Sequence, residues 1–512
     1  MVILKSSSKT PSLNIVFIVQ LVLFSLIVTG VLPRSVVPYL AIALAAYVLF
    51  ASLENATVFF VRSIPFFLAI PLTATFDNFN TWRILSAIIF IRWVWPKILN
   101  LKSEILNKFK IQNSKTSIIL GGLLLLTILS IIPAPDKILA VKRIIYFLNL
   151  SLIGLVIYDL ARKTDSASSP QAGFAKRLIK NISIPVIAVT VVGFIQLGST
   201  YLMDIYQFMG FWAGKVQFNQ FGSAWSYITY NLGNTWYAYY GEQISLRMFS
   251  LFPDSHSFPQ FILLGLPAVF ALFWNKKKIL TVLVSLIFLA AILTGTRGIW
   301  AGGAVSAFLA MVLKFWFIKT KLSQSNQKIF KKISLNLVVF FALFIVAFPI
   351  FASPQFRLYK MDSELLAKRV RSVINFGETS NKERIRIWRL SLESIKNHPL
   401  LGVGVGNFPV VLNQDLALAK AGSSAHNIYL QIAAEMGIPA LIFALWFLWL
   451  LMQKIYNNFV ASKDWEITIY NGAALIFIPW ILIYGLTDVA LFDERAFLLF
   501  TTTISLILAN KN

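Results

Sequence analysis

The chain has 512 residues, 57% of them apolar and only 13% charged, with 46 Lys and Arg against 21 Asp and Glu for a net charge of +25. Soluble proteins carry about 25% charged residues, and a soluble chain of this length would need several charged domain surfaces, so a soluble enzyme, a DNA-binding module and a disordered protein are excluded. The absence of cysteine removes disulfides, zinc–thiolate sites and a cysteine nucleophile, and what remains is a polytopic membrane protein.

A spanning helix needs about 20 mostly apolar residues. Lys5 and Lys9 precede an apolar run from Leu13 to Leu32. That run is longer than a signal-peptide core and has no small-x-small cleavage site, so it reads as an uncleaved first span. Further candidate spans begin near Val36, Thr57, Trp82, Thr116, Ile138, Ile182, Ser257, Ile279, Ile299, Leu335, Ile428, Ile467 and Ala496. The expected fold class is an all-α polytopic membrane protein with about 12–14 transmembrane helices and a large extracytoplasmic loop containing amphipathic helices. Five segments follow: N-terminal helices (1–200), an aromatic-rich extracytoplasmic segment (201–256), central helices (257–352), an extracytoplasmic loop where the chemistry gathers (353–427), and C-terminal helices (428–512).

Lys and Arg in short loops set orientation. The connections Lys97 to Lys115, Arg162 to Lys180, Lys276 to Lys278, Lys319 to Lys332, and Lys454 with Lys463 fall on one side if both termini are cytoplasmic. The segment from Tyr201 to His256 then faces outward and is rich in rings, among them Trp212, Trp225, Tyr227, Trp236, Tyr237, Tyr239 and Tyr240. An interfacial aromatic belt and a surface that stacks on sugars or holds an isoprenoid lipid both fit this composition.

The 46 basic residues are 30 Lys and 16 Arg. Lysine dominates the cytoplasmic loops, whereas the outer side has Arg247, Arg297, Arg357, Arg369, Arg371, Arg384, Arg386 and Arg389. A point charge is enough to fix topology, but a planar five-donor fork suits phosphate oxygens. Ser380 to Glu383 has capping-box spacing and Pro399 follows His398, which predicts a helix over that stretch. It places Ile385, Trp388, Leu392 and Ile395 on one stripe and Arg386, Arg389, Glu393 and Lys396 on the next. Such a helix either rests on lipid headgroups or offers Arg386 or Arg389 as a pyrophosphate clamp.

All three histidines, His256, His398 and His426, lie in the outer segments or at outer span ends. His398 reads as a helix-end residue. His426 precedes a span, with Glu435 about two turns further on, and a neutral imidazole there can accept a proton from a sugar hydroxyl. Gly402, Gly404 and Gly406 lack the strand and lysine of a nucleotide loop; they read as a tight turn approaching a ligand or a neighbouring helix. Asp254 and His256 are too few donors for a metal site.

Arg386-Ile387-Trp388-Arg389-Leu390, His398 through Phe408, Ala425 through Leu430, and Glu435-Met436-Gly437-Ile438-Pro439, in that order, resemble the O-antigen ligase and polymerase superfamily. Thr294-Gly295-Thr296-Arg297-Gly298 is similar to its Ser/Thr-Arg-Gly element, and Arg247 to its outer-loop arginine. The resemblance implies a GT-C-like membrane glycosyltransferase of the bacterial inner membrane, with an extracytoplasmic site and no metal, cofactor or nucleotide sugar. Such an enzyme moves a glycan from undecaprenyl pyrophosphate to an acceptor hydroxyl on lipid A core, on another lipid-linked glycan or on a protein. Its partners would be those substrates and membrane lipids, and not nucleic acid. It also implies that Arg297 and Arg386 neutralise the pyrophosphate, and that His426 orients or deprotonates the acceptor. Arg247, Arg389 and Glu435 would complete the substrate contacts. The rival reading is a transporter or lipid flippase, which would place polar residues and broken helices near the bilayer midplane.

Overall fold

The computed structural model describes residues 12–73, 76–104, 115–163, 173–232, 236–240, 243–319, 322–357, 379–414 and 423–510. Its helices are α1 (Leu13–Val28), α2 (Val37–Phe50), α3 (Leu53–Ser63), α4 (Thr81–Glu104), α5 (Lys115–Leu129), α6 (Lys137–Lys163) and α7 (Phe174–Leu202). Short helices α8 (Ile205–Phe211), α9 (Phe218–Phe221) and α10 (Ser223–Leu232) follow, then α11 (Ser257–Phe273), α12 (Lys277–Leu293), α13 (Arg297–Lys319) and α14 (Gln324–Ala352). The chain closes with α15 (Thr379–Asn397), α16 (Ile428–Ala461), α17 (Trp465–Tyr484) and α18 (Glu494–Ala509). Two small antiparallel hairpins interrupt them, Ala69–Ile70 with Phe79–Asn80 and Tyr237–Tyr240 with Gln243–Leu246.

The protein is thus an all-α polytopic membrane protein, and every expected span start falls on or next to a helix. Among the described residues six helices are long and apolar enough to cross a membrane, and four more apolar helices are shorter. The third candidate, α3, has 11 residues before the chain turns through Ile64–Phe66 into the first hairpin, so helix alone does not carry that stretch across.

Local chemistry starts these helices where the sequence places a capping side chain. Asn427 accepts from the amides of Tyr429 and Leu430, Asp464 from Glu466 and Ile467, and Asp493 from Arg495 and Ala496. The centre of the bundle is α11, which is apolar on all sides and buried along nearly its whole length, as a helix without a polar face must be. It packs on α7, α17 and α18, with Phe270 stacked 5.8 Å from Phe477. By contrast α5, α6, α13, α14 and α16 present exposed Ile, Leu, Val and Phe side chains, the surface a bilayer would cover.

Polar contacts separate the two ends of the bundle. At one end Lys176 pairs with Asp464 at 2.7 Å and Arg177 with Glu54 at 3.4 Å. At the other, Arg34 pairs with Asp77 at 2.6 Å while Asp77 accepts from the Ser223 amide at 2.8 Å. Arg62 and Arg92, charges set among apolar stretches, are both absorbed structurally. Arg62 bonds the side chains of Asn14 and Asn181, and Arg92 binds the last carbonyls of α2 at Val48 and Ala51.

Neither expected role fits the heart of the aromatic segment. Trp236 stacks on Phe249 at 4.1 Å, Phe208 meets Phe356 at 5.2 Å, and these rings are wholly buried with Trp212 and Tyr237 beside them. They extend the apolar core of the bundle into a roof at this end, because rings this large gain most by mutual burial. Tyr206 and Tyr227, 83% and 72% exposed, remain outside it. The side chains of Tyr239 and Tyr240 lie outside the described ones.

Candidate active site

At the roofed end, four chain segments converge. Arg247 follows the second hairpin, its amide held by the Trp236 carbonyl at 2.8 Å. Its Nε donates to the Thr294 carbonyl (3.2 Å), where α12 ends, and its Nη2 donates to Thr296 Oγ1 (3.3 Å) and to His256 Nε2 (3.2 Å). A cation at a helix C-terminus is stabilised by the helix dipole. The burial that surrounds it pushes the Arg247 pKa down to about 10.

His256 sits at the start of α11, positioned by Asp254, whose Oδ1 accepts from the His256 and Ser257 amides and the Ser257 hydroxyl. A guanidinium only donates, so its bond to Nε2 fixes the neutral imidazole with its proton on Nδ1. That nitrogen lies 2.8 Å from Tyr484 Oη and 3.0 Å from Asp488 Oδ2. Asp488 lies in the loop joining α17 to α18, its Oδ1 accepting from the Ala490 amide.

His426 approaches the same carboxylate oxygen. Its Nδ1 is 3.7 Å from Asp488 Oδ2, buried and without a hydrogen bond, while 38% of its side chain stays exposed. The residue has φ +46°, a left-handed conformation that costs a side-chain-bearing residue energy and persists only when its surroundings impose it. They do so on both sides. The Trp388 indole of α15 donates to the Ala425 carbonyl at 3.0 Å, and Asn427 caps α16. Two imidazoles thus face one buried carboxylate. Burial alone would raise the Asp488 pKa, but the imidazoles, His256 first, hold it well below the usual carboxylate range.

Arg297 opens α13 directly after Thr296, in a turn made possible by Gly295 at φ +62°. Gly298 lets α13 press on α17, since a Cβ there would meet the Tyr484 ring at 2.8 Å. On α15 the structure turns a different arginine toward the centre. Arg384 is half-buried and near enough for its charge to be felt at Arg247 and Tyr484. Arg386 is 69% exposed at its side chain, paired with Glu383 at 3.1 Å, and with Lys382 and Arg389 it lines a separate open cavity of about 500 Å³. The expected apolar stripe of α15 is corrected too. Leu392 is exposed and Ser391 wholly buried, because the helix packs on Val403 of the glycine turn and on Phe408 and Val411 just after it, and Ser391 satisfies its hydroxyl on the Ile387 carbonyl at 2.8 Å.

Glu435 lies away from the histidines. It accepts from Gln431 at 2.6 Å and from the amides of Gly406 and Phe408, and so holds the glycine turn against α16. His398 is exposed just beyond α15, and Arg357 bonds the Leu202 carbonyl at 2.9 Å. Arg369 and Arg371 lie outside the described residues. Sequence reasoning passed over Tyr484 and the orienting role of Asp488, and it named Arg384 among the outer arginines without giving it a role. The one available signal was that all three histidines gather at one end of the bundle.

Residues 281–445 match a family model described as O-antigen ligase. No curated protein matches the chain. The matched stretch includes Arg297, Arg384 and His426, while Arg247, His256, Tyr484 and Asp488 reach the site from outside it.

Proposed function

We propose that this membrane protein, whose residues 281–445 match a model described as O-antigen ligase, is a cell-surface polysaccharide enzyme that transfers a glycan from a polyprenyl pyrophosphate to an acceptor hydroxyl. The observation that carries the reading is the His426–Asp488–His256–Arg247 constellation, in which a base, its orienting carboxylate and a fixed cation share one end of the bundle. Asp488, 3.7 Å from His426 Nδ1, favours the tautomer with the proton on that nitrogen, which leaves Nε2 as the base that accepts the hydroxyl proton of the acceptor. The acceptor oxygen forms its bond to the anomeric carbon as the bond from that carbon to the pyrophosphate oxygen breaks. Charge then grows on the leaving pyrophosphate. Arg247, Arg297 and Arg384 stabilise that charge from fixed positions, the role that a preorganised donor set plays in a desolvated site. Arg386 and Arg389 border the open cavity beside it and attract the anionic donor on approach. Direct displacement inverts the anomeric centre, as in GT-C-type chemistry. The site faces the extracytoplasmic side of the bacterial plasma membrane with both termini in the cytoplasm.

Purified protein incubated with an undecaprenyl-pyrophosphate glycan and hydroxyl acceptors should yield a coupled product of added glycan mass. Movement of the lipid across vesicles without any coupled product would instead establish a flippase. Because the chain has no cysteine, single-cysteine labelling reads orientation cleanly. A membrane-impermeant thiol reagent should label Leu400→Cys in intact cells and label Ser462→Cys only after lysis, and the reverse pattern would invert the topology.

A further inference from the structure

The loop between α17 and α18 faces two ways. Asp488 meets the histidines, and the residues after it, Phe492 to Glu494, border a second pair of cations that the reaction above leaves unused. Arg83 stands in the first turn of α4 and Arg143 in the second turn of α6. Both pack on Tyr146, with Cζ 5.4 and 5.1 Å from the ring centroid. Trp82 supports Arg83 at 5.2 Å and Phe147 supports Arg143 at 4.8 Å. Tyr146 is itself fixed, its hydroxyl donating to the Phe492 carbonyl at 3.3 Å.

Among the described residues neither guanidinium makes a hydrogen bond or ion pair, and Arg83 Nε is buried without a partner. The nearby carboxylates are engaged elsewhere. Glu494 accepts from Asn80 at 2.6 Å and Trp82 at 2.8 Å, and Glu435 binds Gln431 and the glycine turn. Gly406 closes the other side, its absent Cβ leaving only 3.2 Å to Arg143 Cβ. Two like charges against one ring repel unless an anion lies between them. Aromatic faces hold a guanidinium in place without consuming its N–H donors, so both forks stay available for the bidentate contacts that phosphate oxygens accept.

We propose that Arg83 and Arg143 form a second phosphate seat, divided from the Arg247–His426 site by the α17–α18 loop, and that it binds the phosphate of the acceptor. This rests on the glycosyl-transfer reading, and it selects a phosphate-bearing lipid glycan as acceptor over a protein hydroxyl. The donor lies on the Arg247 side of the loop and the acceptor on the Arg83 side.

Calorimetric titration of the full chain in detergent with farnesyl pyrophosphate tests this. Wild-type protein should bind two equivalents. The Arg83→Ala/Arg143→Ala double variant should lose one and Arg247→Ala the other, the equivalent each retains showing that it is folded. Should the double alanine variant lose both, Arg83→Lys/Arg143→Lys decides: it keeps the charge and should weaken one equivalent about tenfold, and unchanged affinity overturns the seat. Two equivalents insensitive to the double variant, or a single equivalent abolished by Arg247→Ala alone, also overturn the seat and leave the transfer reading intact. A single equivalent that depends on Arg83 and Arg143 and ignores Arg247→Ala overturns the donor assignment, and the acceptor assignment with it. Inorganic pyrophosphate should displace the second equivalent. Phosphatidylglycerol displacing it equally well would mark a general headgroup site and overturn the acceptor assignment.

Discussion

The glycine turn from Gly402 to Gly406 and the His426 turn both dock on the first turns of α16. In the glycine turn the backbone is packed to its limit. The amides of Val403 and Gly404 donate to the carbonyls of Ala434 and Glu435, both at 2.9 Å, and Ile438 donates back to Pro399 at 2.8 Å. A Cβ on Gly402 would lie 2.5 Å from the Ala434 oxygen, and one on Gly404 would lie 2.7 Å from Ala134 Cα. The one carboxylate there, Glu435, is fully bonded inward. In the His426 turn a left-handed residue carries a ring with one buried nitrogen unsatisfied and much of its surface open. A satisfied, closed turn is scaffold. A strained turn that leaves an imidazole poised beside a shared carboxylate is arranged for proton transfer.

That contrast can be broken by experiment. The largest effect on turnover is expected from His426→Gln, which should slow transfer about 10²–10⁴-fold while the thermal midpoint holds. Near-normal turnover would reduce His426 to a positioning residue. Gly402→Val should act through folding instead, costing on the order of 3 kcal/mol or more; loss of folded protein on size exclusion checks it, and a stable, inactive variant would place the glycine turn in the chemistry after all. The smallest and most diagnostic effect belongs to Asp488→Asn. The folded Asp488 pKa lies below its unfolded value, so its stabilisation is complete above about pH 4 and fades as pH falls through the folded value. The midpoint difference between wild type and Asp488→Asn should therefore shrink on acidification below that point. A difference that stays constant there would remove the charge from its role.

Part of this site was legible from the chain. His426 stands in one of the ordered motifs that carry the family resemblance, Arg297 and, more weakly, Arg247 match elements upstream of them, and the structure brings Arg247, the start of α13 and His426 to one end. Asp488 was not legible: one acid in a short loop after an apolar span has no spacing that marks it. Arg83 and Arg143 read as ordinary topological charges, because nothing in their local sequence tells of a shared ring at Tyr146. Periodicity gave α15 correctly as a helix with exposed Arg386, Arg389, Glu393 and Lys396. It erred at Leu392 and Ser391, since a 100° step sets a spacing of faces and not which neighbour a face will meet.

By itself, the sequence determined the solvent. A composition with few charges and repeated apolar runs can bury its surface only in a bilayer, and caps such as Asn427 and Asp493 begin helices through contacts a few residues long. It also determined the segregation of lysine loops from arginine segments. Which side chains meet Asp488 was decided only by tertiary structure, because His256 lies more than two hundred residues before it along the chain. Arg247, His256, His426 and Asp488 become one site through the packing of α11 on α17, and nothing shorter in range could have joined them.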